Sequence, residues 1–407
     1  MTMGTGVAER PAGSVRAMAA VSAALTTAVL PVFLVGASSD AIRADLGVSE
    51  TAIGAAVTVL FVAVGVTAAP VGRLTERVGA TRALRGGLLL SGLATAAIGL
   101  LARTWWQLAL PLVVVGVAIA MVDTGGARAF ADRVTAGRQG VAFGIKEASV
   151  PSASLLAGLA LPTLAVWFGW RASFLAAPAL AALVALLVPR RVARTSGEAD
   201  AAAVSEPTAP APPQVSRSLV RFAVGVGLGA GAATASATFL VPASTDRGLS
   251  TTAAGVLLVV ASLASIAGRI GLGRWADRPR AVPIRAVAIL TVVGGLAAVV
   301  LIAPVAAPVA AIAAIVLLGA GWGWTGLAFL AAVRARPDAP AVAAGTVLTG
   351  LGIGGAAGPL TFGALASNLS YTAAWTATAA ALLTASALAA SALPIASGHP
   401  EAASPPS

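Results

Sequence analysis

Lys146 is the sole lysine in a chain of 407 residues, and it lies in "GIKEASVP", an otherwise apolar stretch, beside Glu147. Upstream, Asp123 follows the uncharged run "PLVVVGVAIAMV", with Arg128 five residues later. An ionised side chain inside an apolar helix costs roughly 2.5–3.5 kcal/mol on insertion scales, so such groups face a protein interior or a watery cavity and pair there. Ammonium and guanidinium groups can bind an anion, and carboxylates can accept a proton or hold a cation. Asp123, Arg128, Lys146 and Glu147 are therefore the candidates for contact with a substrate or a proton. Trp322 and Trp324, in "GAGWGWTGL", offer flat apolar area and N–H donors that could form a facing wall.

These charges need elements to position them. The chain is 58% hydrophobic and 10% charged, with a mean hydropathy of +0.93, whereas a soluble domain is about 25% charged. Its main solvent must be lipid. Stretches of about 20 apolar residues suit bilayer-spanning helices, and twelve are expected. They fall at 17–36, 50–70, 86–102, 108–130, 141–162, 172–189, 219–241, 251–272, 286–303, 309–331, 341–363 and 371–393. The first begins after Arg10 and Arg16 and reads as a retained helix rather than a cleaved leader. Residues 190–217, rich in proline, alanine and small polar side chains, read as a linker between an N-terminal bundle (1–189) and a C-terminal bundle (218–393), with a tail at 394–407.

With the N-terminus in the cytoplasm, only Arg43, Arg103, Arg171 and Arg247 fall outside, leaving 22 of the 26 basic residues on or facing the cytoplasmic side. Both termini are then cytoplasmic, as in a multi-pass protein of the bacterial plasma membrane. The net charge of +11 reports topology and contact with lipid headgroups, and no nucleic-acid partner is expected. Cysteine is absent and the single His399 lies in a polar tail, so neither a metal site nor a disulfide is expected.

Within the spans, Asp123 and Lys146 lie at matched depths on consecutive helices and are expected to pair. Arg128 with Glu147 is a possible second pair, because successive residues point about 100° apart. Arg269 reads mainly as a gate or headgroup residue, with reach into the cavity as its second reading, and Trp105 and Trp106 read as interfacial anchors.

The two halves match at an offset of 201 residues. "GRLTERVG" at 72–79 aligns with "GRWADRPR" at 273–280, "FGWRASF" at 168–174 with "LSYTAAW" at 369–375, and "DTGG" at 123–126 with "WTGL" at 324–327. Asp123 is thereby matched with Trp324. A parallel repeat of six-helix units suits a transporter whose halves rock about a central site.

The first of these motifs resembles the loop hallmark of the major facilitator superfamily, G-x-L-[AS]-D-R-x-G-[RK], through Gly72, Leu74, Glu76, Arg77 and Gly79, followed by Arg82. Gly273, Asp277 and Arg278 form its second copy. The resemblance, over about residues 15–393, implies an all-α integral membrane fold of twelve helices in two pseudo-symmetric six-helix bundles. It also implies that these loops, with Arg73 and Arg274, gate the cytoplasmic side. The family's antiporter signature, a glycine-rich run ending in Gly-Pro on the fifth helix, instead occupies the eleventh here, "GTVLTGLGIGGAAGP". Leu112 stands where that group carries an arginine. "KEASVP" and "GWGWTGL" loosely match cyanate and organic-acid permeases.

No nucleotide-binding motif or catalytic cluster is visible. The reading is a secondary transporter, without cofactor and functional as a monomer, carrying a small organic or inorganic anion with protons. The alternative is proton-coupled efflux of amphiphilic drugs or organic cations; a channel and a neutral solute rank lower.

Overall fold

A computed structural model describes residues 12–131, 139–188, 216–336 and 340–392. These are helical almost throughout. The first half runs α1 (Ala12–Ala37), α2 (Ser39–Leu46), α3 (Glu50–Val78), α4 (Ala80–Leu101), α5 (Trp105–Ala131), α6 (Gln139–Ala160), α7 (Val166–Phe168) and α8 (Trp170–Leu187). The second comprises α9 (Arg217–Asp246), α10 (Thr251–Ala276), α11 (Pro283–Ile302), α12 (Ala307–Gly319), α13 (Thr325–Ala335), α14 (Pro340–Asn368) and α15 (Tyr371–Ser391).

The local chemistry explains the boundaries. Ser49, Ser216, Ser250 and Ser370 each cap a helix start by accepting a backbone N–H three residues on. Gly79 and Gly169, at φ of 88° and 77°, make the tight corners before α4 and α8. Proline at 31, 70, 111, 151, 178, 242 and 359 lies inside helices, as membrane helices permit. Pro162 behaves differently: it removes an N–H donor, and Leu161–Ala165 widens into a π-turn between α6 and α7.

Among the described residues, eleven helices are long and apolar enough to cross a membrane. The expected span at 309–331 is not one helix but the pair α12 and α13, broken at 320–324. Two contacts explain the break. Gly321 lies against Gly294 of α11, where a Cβ on Gly294 would come 2.4 Å from the Gly321 Cα. The Trp324 indole N–H donates to the Gly321 carbonyl at 2.7 Å, taking an acceptor that a continuous helix would use itself. Several other spans are longer than expected: α3 continues to Val78 and the fifth to Phe168.

Helices begin 201 residues apart at Glu50 and Thr251, Gln139 and Pro340, and Trp170 and Tyr371. The halves meet where α6 packs on α10, α3 on α14 and α1 on α9. Small residues let the backbones touch: a Cβ on Gly36 would come 2.5 Å from the Thr238 carbonyl oxygen, and one on Gly54 would come 2.3 Å from that of Pro359.

Candidate functional site

Asp123 lies eight residues before the end of α5 and Lys146 seven after the start of α6, about 12 Å and about 10 Å along two helices that are consecutive in the chain. The depths match, and Lys146 Nζ stands 3.1 Å from Asp123 Oδ1. It also lies 3.7 Å from Glu147 Oε1. Adjacent residues were expected to diverge, but the four-carbon lysine stem curls far enough to serve both acids. The Lys146 ammonium sits 5.9 Å from the Phe329 ring centroid, and Phe143 stacks on Phe329 at 6.0 Å. All three charged groups are partly accessible, Asp123 most so at 34% of its side chain.

Arg269 of α10 approaches from the other half. It is 2% exposed, so it does not reach headgroups. Its guanidinium donates to Ser265 Oγ and, at 3.4 Å, to Thr325 Oγ1. It lies 5.0 Å from the Trp322 ring, which in turn meets Phe33 of α1 at 5.9 Å. Among the described residues no carboxylate forms an ion pair with Arg269. Gly144 makes this approach possible, since a Cβ there would come 2.6 Å from the Arg269 carbonyl oxygen. Two acids, a lysine and an arginine thus balance in formal charge across the seam, edged by Phe33, Trp322 and Phe329.

Trp324 departs from the expected cavity wall. It is fully buried with its ring against Gly229 of α9, inside a core cluster with Phe222, Val226 and Leu327. Trp322 alone of the two stands beside a charge. The Arg128 side chain lies outside the described residues, as does that of Glu76.

At the arginine-rich end, Asp277 links the halves. Its carboxylate accepts the backbone N–H groups of Gly140 at 2.7 Å and Val141 at 3.1 Å, satisfying free donors at the start of α6. Gly273 allows the approach: its Cβ would come 2.5 Å from the Gly140 carbonyl oxygen. In the first copy, Gly72 faces Thr124, and Thr75 and Thr124 share a hydrogen bond of 2.9 Å. Arg73, Arg77, Arg82, Arg274 and Arg278 are exposed.

The opposite end carries a polar seal that the sequence reading missed. Glu50, 5% exposed, accepts from Arg43 at 2.7 Å and from the Tyr371 hydroxyl of α15 at 2.5 Å. Thr245 of α9 donates to Asp40 at 2.6 Å, and Asp40 lies 3.5 Å from Arg43. Thr51 meets Ser367 at 2.5 Å, and Thr58 donates to the Ala356 carbonyl at 2.6 Å. These bonds tie α2 and α3 to α9, α14 and α15. Trp105, read as an anchor, donates to the Ala52 carbonyl at 2.7 Å, whereas Trp106 is exposed.

The sequence pattern of the Major Facilitator Superfamily matches residues 15–347. The chain belongs to that superfamily. It is accordingly a membrane transporter of the major facilitator type and not an enzyme. No curated protein matches it. Among solved structures it is similar to a bacterial homologue of the human lysosomal transporter Spinster in an inward-facing, occupied conformation. That match has a TM-score of 0.71 and 16% identity, over 93% of this chain and 96% of the other. The human organic anion transporter MFSD10 (TETRAN) matches with a TM-score of 0.65 and 16% identity, over 93% and 100%. The Spinster homologue in an inward-facing, unoccupied conformation gives 0.62 and 15%, over 96% and 97%. None of the three singles out the cyanate or organic-acid permeases.

Proposed function

We propose that this facilitator carries a small organic or inorganic anion together with protons by alternating access. In this reading α12 and α13 together make the tenth of twelve crossings, and residues 1–189 and 218–393 act as two six-helix bundles. Both termini are cytoplasmic, the membrane is the bacterial plasma membrane, and the monomer contains the whole pathway.

The observation that carries the anion is Arg269, buried at the seam with two hydroxyls and an indole as its neighbours and no acid in ion-pair reach among the described residues. A buried guanidinium in that setting gains most from a bound anion. Across the seam, Lys146 is shared by two carboxylates. An anion that drew the ammonium toward itself would leave Asp123 or Glu147 to take up a proton, which couples the two movements.

The seal around Glu50 and the close contact of Gly54 with Pro359 support a state closed to the outside. Toward the arginine-rich end, a Cβ at Gly65 of α3 would meet nothing within 4 Å, which supports a cavity reached from the cytoplasm. Glu76 and Arg77 then belong to the gate of the opposite state, along with Gly72, Gly79, Arg82 and Arg278, whereas Asp277 already ties α10 to α6 here.

Ligand-dependent thermal stabilisation of the purified protein tests the substrate class. Matched panels of small carboxylates, inorganic anions and lipophilic cations are compared on wild type and Arg269→Gln. The expected result is stabilisation by anions alone, lost in the variant. Stabilisation by cations that survives Arg269→Gln and is lost in Asp123→Asn would establish the efflux alternative instead.

A further inference from the structure

A large cavity lies away from the charged cluster. It is an open groove of about 830 Å³ between α9, α14 and α15, and every residue lining it belongs to the second half. Its floor forms because α9 and α14 touch backbone to backbone. A Cβ on Gly354 would come 1.9 Å from the Gly227 carbonyl oxygen, and one on Gly358 would come 2.1 Å from that of Gly231. Val224, Leu228, Ile353, Ala357, Ala377 and Ala381 line it, and Val224 and Ile353 are 51% and 67% exposed. On α9 the groove runs from Val220 to Ala235, about 22 Å, most of the roughly 30 Å hydrocarbon thickness. Left empty, such a surface would forfeit dispersion contacts along its whole length, and water gains little from an apolar wall.

Charge distinguishes one end. Arg217, Arg221, Val224 and Leu228 are all exposed, and their spacings of four, three and four residues put them on one face of α9. Two guanidiniums therefore stand in line with the groove at its arginine-rich end. Among the described residues neither has an acidic partner.

We propose that the groove binds an anionic phospholipid of the leaflet on the arginine-rich side, its acyl chain along α9 and α14 and its phosphate held by Arg217 and Arg221. Basic side chains at the headgroup level attract anionic lipid, while the apolar groove fixes where the tail lies. The site is separate from the transport pathway and holds whichever solute is carried.

The test uses the full chain in vesicles carrying photoactivatable phosphatidylglycerol or photoactivatable phosphatidylcholine, with labelled peptides mapped by mass spectrometry. In wild type, phosphatidylglycerol should label 217–235 and 345–362 at least threefold more than phosphatidylcholine does. Arg217→Gln with Arg221→Gln should reduce that ratio to about one. Ala357→Phe, which fills the groove, should lower labelling there at least fivefold by either lipid, while the exposed face of α11 around Ile289 and Leu296 keeps its label and reports an intact fold. Equal labelling by the two lipids in wild type, or groove labelling no higher than on α11, would overturn the proposal without any variant. So would variants that label like wild type.

Discussion

Lys146 and Arg269 hold opposite sides of one charged seam, and their surroundings give them different work. Lys146 is already neutralised by Asp123 and Glu147, whereas Arg269 has, among the described residues, hydroxyls and an indole and no paired acid. Replacing Arg269 by glutamine removes a charge-assisted bond of about 1.5–3 kcal/mol, so anion affinity should fall roughly 10- to 100-fold, read by titration calorimetry. Lys146→Met leaves two carboxylates without their shared cation. It should lower the melting temperature at pH 7, and Lys146→Met with Asp123→Asn should restore much of the loss. The first pairing was legible because both residues lie in consecutive spans at equal distances from one membrane face. Arg269 was legible only in part: it lies one turn before a basic loop, where arginine ordinarily reaches headgroups, so the cavity was its lesser reading, and only the fold of α6 and α13 over it buries it. The 201-residue offset favoured Trp324 over Trp322 as the residue facing Asp123, and the structure reverses that order, since the turn that separates their directions is made by a tertiary contact between Gly321 and Gly294.

At the scale of elements, the outer seal and the Asp277 cap do complementary jobs. In the alternating-access reading, moving to an outward-open state requires breaking Glu50 from Tyr371 across the halves, while its bond to Arg43 stays within the first half; Tyr371 is 321 residues from Glu50 along the chain. That distance is why the seal was not visible in the sequence, although the chain's one tyrosine and an acid opening an apolar span were both in view. Tyr371→Phe should weaken the seal and raise labelling of a cysteine placed at Thr58 by a membrane-impermeant reagent from outside, several-fold above the same cysteine in wild type. An unchanged labelling rate would remove the seal from the account. A second outer link holds α2 to α8: Asp45 accepts from Arg171 and from the Trp170 indole. The Arg171 guanidinium holds the Asp45 carboxyl below its usual range, so its stabilisation is present above the ordinary aspartate value of about 3.9. It disappears as pH falls through the lower folded value. Asp45→Asn should therefore melt below wild type above about pH 4, with the two curves converging as pH falls further, and curves that already overlay above pH 4 would contradict it.

For the whole molecule, the lipid-spanning helices and the duplication offset were legible because burial in a bilayer demands long apolar runs, whatever the substrate. The broken tenth span was not, because its glycines are tolerated in continuous membrane helices and only packing against α11 decides otherwise. The chain contains no cysteine, which makes the alternating account unusually accessible to engineered crosslinks. A Thr51→Cys, Ser367→Cys pair, replacing hydroxyls 2.5 Å apart, should form a disulfide that stops transport, and reductant should restore it.

The central claim, that anion and proton move together through the seam of Lys146, Asp123, Glu147 and Arg269, is tested most directly in proteoliposomes by recording internal pH while an anion gradient is imposed. The account predicts anion-dependent acidification of the lumen, abolished in both Arg269→Gln and Lys146→Ala. Anion uptake with no proton movement, or cation-driven proton exchange that persists in both variants, would contradict it.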